Sequence, residues 1–288
     1  MYTSNFAGLL RSVLAATLLS FMAVAQAAGT GLLWKVEAPG GTTSYLFGTM
    51  HADDARLTDF SPELEQALTD SDAFMMETLP PDDLSVYFMQ DASLADLLNE
   101  DELAQVRQLA DFHAMQEDIA LHMKPWLLAM VFDLPEPQSP LAQDVQLLAK
   151  ARAQNKEILG LETTEAHFGV LDGLTREEHL TMLRAVLKRN PEEKERDFER
   201  LLGAYVEGDI EKIAALDDDI TGDMLPPALW QKMKVRLIDE RNVRMAQRII
   251  EQAGQNSVFV AVGASHLAGD KGLLAKLRSA GYQVSSVL

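Results

Sequence analysis

The chain carries the same short pattern near both of its ends, each time directly after an apolar run. Gly48-Thr49-Met50-His51 follows Tyr45-Leu46-Phe47, and Gly263-Ala264-Ser265-His266 follows Val258-Phe259-Val260-Ala261-Val262. A segment of helical character and a second apolar stretch come after each pattern. The arrangement predicts a duplicated unit of strand, Gly-x-x-His, helix and strand. Because open α/β sheets bind ligands at the carboxyl ends of their strands, both histidines are expected at one site.

Between the two units the sequence is largely helical. Helical periodicity covers about 84–253, interrupted by an apolar run near 156–162 that predicts a core strand. A long helix is predicted from Pro227 to Ala253, with Gly254 as its stop signal. The expected fold is therefore α/β, with a central mixed β-sheet built from the duplicated unit and a large helical insertion that covers it.

The first residues have the layout of a secretory signal peptide. An apolar run from Val13 to Ala25 follows Arg11 and ends in Ala25-Gln26-Ala27, a small-x-small cleavage pattern. The run is shorter than the roughly 20 residues that a membrane-spanning helix needs. We therefore expect a signal peptide over 1–27, a single domain over 28–288, a periplasmic location and no stable membrane span. An uncleaved anchor is the alternative.

The composition of the chain excludes some classes of metal site and argues against some classes of partner. The 288 residues include no cysteine, which excludes a structural zinc site with thiolate ligands. Any metal ion would need histidine and carboxylate ligands. The formal charge of −19 argues against nucleic acids and anionic membranes as partners. A peptide or another small molecule is the expected substrate.

Two glutamates stand where predicted core strands meet their loops. Met75-Met76-Glu77 and Leu159-Gly160-Leu161-Glu162 each end an apolar run in an acid. A carboxylate at the rim of a core is costly unless it pairs with a cation or binds a metal. Together with His51 and His266, these acids suit a zinc, manganese or cobalt site. They equally suit a metal-free His/Glu acid–base pair, or simply a turn histidine and a helix-capping acid.

Arg241 is the basic residue of most interest, because it lies mid-helix among apolar neighbours. It is a candidate to hold Glu77 or Glu162 in place, or to bind a substrate carboxylate with both arms of its guanidinium. His167 follows Glu162 closely enough in sequence to approach the same site. His113 with Glu117, four residues on, is a weaker candidate for a ligand pair, since neither lies next to the duplicated unit.

Taken together, these segments resemble the TraB/GumN family, which includes the Tiki proteases. The resemblance covers nearly the whole chain after the leader. Its blocks are Leu46-Phe47-Gly48-Thr49-Met50-His51, Met76-Glu77, Lys124-Pro125-Trp126, Gly160-Leu161-Glu162-Thr163, Glu240-Arg241-Asn242 and Phe259-Val260-Ala261-Val262-Gly263-Ala264-Ser265-His266-Leu267. It implies an α/β core related to the ChaN and erythromycin-esterase folds.

The resemblance also implies a chemistry, because Tiki members are peptidases that depend on a divalent metal ion. Carried onto this sequence, the metal ligands are His51, His266 and Glu77, and Glu162 and Arg241 support them. The family often has Gln where this chain has His167, which adds a candidate ligand or acid.

Two functions follow as expectations. The leading one is an exported metal-dependent hydrolase, in particular a peptidase, in which one Glu is a ligand, the other is the general base and Arg241 orients charge. The competing one is a non-catalytic periplasmic protein that binds haem, a metal or a small ligand in the same cleft.

Overall fold

The computed structural model describes residues 31–139 and 141–287. The predicted signal peptide, residues 1–27, lies outside these ranges. Within them, no helix combines the length and the apolar character that crossing a membrane requires.

A six-stranded mixed sheet forms the centre of the described chain. Its strands are β1 (Leu33–Glu37), β2 (Thr43–Thr49), β3 (Ala73–Met76), β4 (Glu157–Gly160), β5 (Val258–Gly263) and β6 (Gln283–Ser286). They lie in the order β4-β3-β5-β2-β1-β6. The neighbours from β4 to β2 are parallel, whereas β1 runs antiparallel to both β2 and β6. The predicted mixed α/β sheet is confirmed.

The two predicted units do not occupy equivalent places in this sheet. From β2 the chain passes over one strand to β3, which lies beyond β5. From β5 it passes over two strands to β6, which forms the edge next to β1. The units interlock through the pairing of β2 with β5, and their duplication stays an interpretation of the sequence.

Helices fill the sequence between the strands. They are α1 (Ala55–Thr58), α2 (Pro62–Asp70), α3 (Glu100–Phe112), α4 (Glu117–His122), α5 (Pro125–Phe132), α6 (Gln143–Ala153), α7 (Thr164–Asp172), α8 (Arg176–Leu187), α9 (Pro191–Val206), α10 (Ile210–Met224), α11 (Pro227–Lys234), α12 (Arg241–Ala253) and α13 (Leu273–Ser279). A π-helical turn over Val235–Glu240 joins α11 to α12, so the long helix predicted from Pro227 to Ala253 is continuous.

Local sequence explains where several of these helices begin. Ser61 caps α2 by accepting from the Leu64 N–H, and proline follows it at the first helical position. Asn190 and Glu193 form a reciprocal capping box that starts α9. Helix α10 ends at Met224 because Leu225 precedes Pro226, and a residue before proline disfavours the helical conformation.

Both faces of the sheet are covered, which gives three layers. On one face α12 and α13 pack against β2, β3 and β5 around Met245, Ile249 and Leu277. On the other face α2 and α6 pack around Phe74 and Phe259, whose rings stack with centroids 6.0 Å apart. A second apolar core joins α3, α5, α8 and α11 to one another. The carboxyl ends of β2 and β5 face this helical core across a cavity.

Candidate functional site

The two Gly-x-x-His segments lie side by side because β2 and β5 are parallel neighbours. Gly48 is in register with Val262, and Thr49 with Gly263. Both segments therefore leave the sheet at the same edge, and His51 and His266 line one cavity. The chain brings together two histidines that are 215 positions apart.

His51 is held by an acid from the first turn of α6. Its Nδ1 lies 2.6 Å from Asp144 Oδ2, while 61% of its side chain is exposed to the cavity. The negative charge of Asp144 and its hydrogen bond raise the pKa of His51 to about 9. The contact makes Nδ1 a donor in either protonation state and leaves Nε2 free to face the cavity.

His266 has the same arrangement with a neutral partner. Its Nδ1 lies 2.7 Å from Asn242 Oδ1, and the Asn242 amide donates to the Lys271 carbonyl at 3.1 Å. The Lys271 carbonyl fixes which end of the amide faces the imidazole, so Nδ1 of His266 is the donor and Nε2 carries the lone pair. Burial lowers the pKa of His266 to about 4, which keeps the ring neutral at pH 7.

Glu77 follows β3 and lies next to His266. Its Oε1 accepts from the Gly263 N–H at 2.7 Å and lies 3.7 Å from His266 Nε2. Its Oε2 accepts from Arg241 Nη2 at 2.5 Å. Burial favours the protonated acid, but His266, Arg241, His51 and the Gly263 N–H together hold the pKa of Glu77 well below its ordinary value. The side chain is a buried carboxylate with one oxygen turned towards the histidines.

Arg241 bridges the two predicted acids. Its Nε donates to Glu162 Oε2 at 2.6 Å, and its Nη2 donates to Glu77. Only 5% of the residue is exposed, and its Nε and Nη2 both donate to protein carboxylates. Of the two roles considered for Arg241, the structure has the one that holds Glu77 and Glu162 in place.

Glu162 lies behind Arg241 and outside the cavity. Its second oxygen accepts from Arg244 at 2.9 Å, and it borders a shallow recess beside Thr78 and Leu79. Burial opposes its charge, yet His167 and the two arginines lower the pKa of Glu162 to about 2. His167 also reaches this network, with Nδ1 3.1 Å from Arg241 Nη2. Glu162 and His167 therefore contact the site through Arg241.

The cavity beside the histidines has a volume of about 400 Å³. Thr49, His51, Glu77, Arg241 and His266 lie at one part of its wall. The rest of the wall is built by α5, α8, α9, α10, α11 and the π-helical turn, mostly from apolar side chains. A larger surface basin of about 740 Å³ lies among α8, α9 and α10 and contains none of these site residues.

Comparison with known proteins identifies the family. The profile of the TraB/PrgY/gumN family matches residues 32–286, nearly the whole described chain. The chain belongs to the TraB/PrgY/gumN family. It is 20% identical over 272 residues to an uncharacterized protein of Treponema pallidum, covering 86% of this chain and 80% of that protein. It is 25% identical over 326 residues to "Metalloprotease TIKI2" of Danio rerio, covering 91% of this chain but only 62% of that relative.

This TraB/PrgY/gumN chain has the donor types that a divalent metal needs, around one small space. A methyl group added to Gly263 would lie 3.4 Å from Glu77 Oε1, 3.6 Å from His266 Cδ2 and 3.8 Å from His51 Nε2. The space that Gly263 leaves open is therefore bounded by two imidazoles and a carboxylate, which suits zinc by donor chemistry. Across residues 31–139 and 141–287, however, no group of three or more His, Cys, Asp or Glu side chains is arranged so that it could hold a metal ion.

Two residues of the site were absent from the sequence prediction. Asp144 has no distinguishing signal, since an acid in the first turn of a helix ordinarily interacts with the helix dipole. Asn242 stands in the block Glu240-Arg241-Asn242 that carries the family resemblance, but its role depends on a contact 24 positions away. In contrast, His113 and Glu117 form no ligand pair: Glu117 binds Arg107, and His113 stacks on Phe132.

Proposed function

We propose that this chain is a hydrolase that cleaves an amide bond at the paired histidines, with peptides as the leading substrate class. The observation that carries the proposal is the matched orientation of the two imidazoles. In both, an oxygen acceptor holds Nδ1, and Nε2 faces the region beside Glu77. Histidines that ligate metals or exchange protons in enzymes are oriented in this way.

The family relation supports the same reading at a coarser level. One relative is named a metalloprotease, and its likeness to this chain covers 91% of the sequence. At 25% identity that relation favours a hydrolase and leaves its substrate to be found by experiment.

We further propose that His51, His266 and Glu77 hold a divalent metal ion, with zinc, manganese and cobalt as candidates. Such an ion, when bound, lowers the pKa of a water molecule to about 7 and polarises a carbonyl group. The ligand nitrogen of His51 has to be unprotonated, so metal binding would release its proton.

Other roles in the reaction would fall to side chains of the protein, which orient the metal ligands and the reacting water. Asp144 and Asn242 fix the tautomers of the histidines, and Arg241 fixes the rotamer of Glu77. Glu77 is the only glutamate of the described chain that lines the cavity, so we assign it the contact with the reacting water. Glu162 would act at one remove, by holding Arg241.

The decisive test combines metal analysis with peptide cleavage. Purified protein should contain a divalent metal, cleave members of a peptide library and lose this activity in a chelator. His51→Ala, His266→Ala and Glu77→Ala should each reduce cleavage by at least about 100-fold while the protein stays folded. His122→Ala, which removes an exposed histidine far from the site in sequence, is the matched control. Unchanged cleavage in both His51→Ala and His266→Ala would refute the proposal.

A non-catalytic binding protein is the second candidate, because the cavity of about 400 Å³ falls in the size range of small-ligand pockets. That function is favoured if haem, a metal or a small ligand binds with His51 and His266 intact and no substrate is ever turned over.

A further inference from the structure

The cavity beside the histidines has walls that suit an aliphatic chain better than a peptide. Most of its lining side chains are apolar, and five of them are methionines: Met50, Met130, Met182, Met224 and Met233. Methionine is flexible and polarizable, so a methionine-rich wall adapts to ligands of irregular or variable shape.

The polar groups of the same wall are already engaged. Arg189 donates to Asp133 and to Asp197, both at 2.5 Å. Lys194 donates to the Phe132 carbonyl at 2.8 Å, and Ser265 donates to Asp217 at 3.1 Å. Each of these groups therefore already has a partner within the protein.

The backbone of the wall offers few free hydrogen-bonding groups, because helices build most of the wall. In α5, α8, α9 and α10 the main-chain N–H and C=O groups bond within each helix. A bound peptide would bury its own N–H and C=O groups without partners, which is costly for each group. Peptides bound in extended form ordinarily use a free sheet edge, and the edges of this sheet are β4 and β6. A saturated hydrocarbon chain has no such requirement.

At least part of the apolar wall reaches the surface. Met130 is 51% exposed and Leu134 is 37% exposed, and both line the cavity near the end of α5. Exposed apolar side chains continuous with a cavity are typical of a ligand entrance.

We propose that the cavity binds a long aliphatic acyl chain, so that the bond hydrolysed at the histidines is the amide of a fatty N-acyl compound. This inference rests on the proposed hydrolase function and replaces peptides with fatty N-acyl amides as its leading substrate class. The oxygen of water would bond to the acyl carbon, the C–N bond would break, and the amine would leave with a proton from that water. The products are a fatty carboxylate and an amine.

The binding arm of the test does not depend on catalysis. Saturated carboxylates of four, eight and twelve carbons are titrated into the full protein by calorimetry. Affinity should rise with chain length, by up to roughly three- to fourfold per methylene buried. Met130→Glu, which places a charge at the exposed rim, should weaken the longest chain by at least tenfold. Leu84→Glu is the matched control, since Leu84 is 61% exposed and does not line the cavity.

The catalytic arm compares acyl amides of one amine with the same chain lengths. A kcat/KM that rises with chain length supports the inference. Binding that depends on chain length, in a protein that hydrolyses none of the amides, supports the acyl-chain site but refutes the proposed hydrolase. Hydrolysis with equal kcat/KM for short and long chains keeps the hydrolase and overturns the acyl-chain site. Affinity that is independent of chain length, or unchanged in Met130→Glu, overturns it as well.

Discussion

At the scale of single residues, the two motif glycines are alike in sequence but not in their surroundings. A methyl group on Gly48 would lie 2.8 Å from Leu267 Cδ1 and 3.1 Å from the Ala264 Cα, which is too close. The same group on Gly263 would meet nothing closer than 3.4 Å. Gly48 thus permits close packing of the two motif segments, whereas Gly263 leaves open the space between His51, His266 and Glu77.

Replacement of each glycine by alanine should separate these roles. Gly48→Ala is expected to lose about 1–3 kcal/mol of unfolding free energy, because the neighbouring backbone has to move. Gly263→Ala should change stability by less than about 1 kcal/mol. It should nevertheless reduce metal binding and hydrolysis, since its methyl group occupies the space between the donors. Denaturant titration and activity of the two variants check this, and a fully active Gly263→Ala would mean that the space is not used.

His113 is a half-buried histidine outside the site, and it makes stability depend on pH. Its ring lies 5.6 Å from that of Phe132, and its Nε2 has no hydrogen-bond partner among the described residues. Burial, with Lys194 nearby, lowers the pKa of His113 to about 4. Between pH 6.5 and 4 the unfolded chain therefore binds a proton that the folded chain does not, and stability falls as the pH is lowered through this window.

His113→Phe should reduce that loss, because phenylalanine keeps the aromatic contact and cannot be protonated. Thermal melts between pH 7 and pH 4 should show a shallower fall in Tm than in the parent protein. His122→Phe replaces an exposed histidine and should leave the slope unchanged. Equal slopes in the parent and His113→Phe would show that His113 does not titrate in this range.

At the scale of elements, the long helix from Pro227 to Ala253 changes from α-helical to π-helical geometry just before Arg241. The π-helical turn over Val235–Glu240 ends directly before Arg241. Such turns shift the register of the side chains that follow them and are frequent at functional sites. Arg241 and Arg244, three positions apart on one face, both reach Glu162.

The two arginines should differ sharply in their effect on stability. Arg241→Ala leaves Glu77 and Glu162 buried without their shared cation, and it should cost about 3–5 kcal/mol. Arg244→Ala removes a side chain that is 41% exposed and should cost at most about 1 kcal/mol. Chemical denaturation measures both. Comparable losses would mean that Glu162 depends on its two arginines equally.

At the scale of the whole molecule, the sequence specifies individual elements better than their arrangement. The apolar runs at β2, β3 and β5 predict strands because buried parallel strands need apolar side chains on both faces. A shorter apolar run predicts the edge strand β4. The order β4-β3-β5-β2-β1-β6 is a matter of non-local pairing, so local pattern does not contain it. The histidines, Glu77 and Arg241 stand in recognisable local patterns and could be predicted as a group. Asp144 and Asn242 could not, because their roles depend on contacts between segments far apart in sequence. Glu162 followed the expected strand but faces Arg241 and not the cavity.

The predicted leader also concerns the whole molecule. We expect the mature protein to begin near Ala28, since Ala25-Gln26-Ala27 has the small-x-small pattern of a cleavage site. Mass spectrometry of the protein isolated from its native host gives the first residue directly. An intact Met1 in the membrane fraction would instead indicate an uncleaved anchor.

The position of β5 in the sheet determines when the centre of the sheet can form. This strand comes from near the end of the chain, yet it lies in the interior of the sheet, between β3 and β2. Until residues 258–263 have been synthesised, β2 and β3 lack their common partner and present unpaired edges, which promote aggregation. The sheet centre therefore cannot form before residues 258–263 are available. A chaperone that binds the chain until β5 is available would keep these two edges from pairing with other molecules.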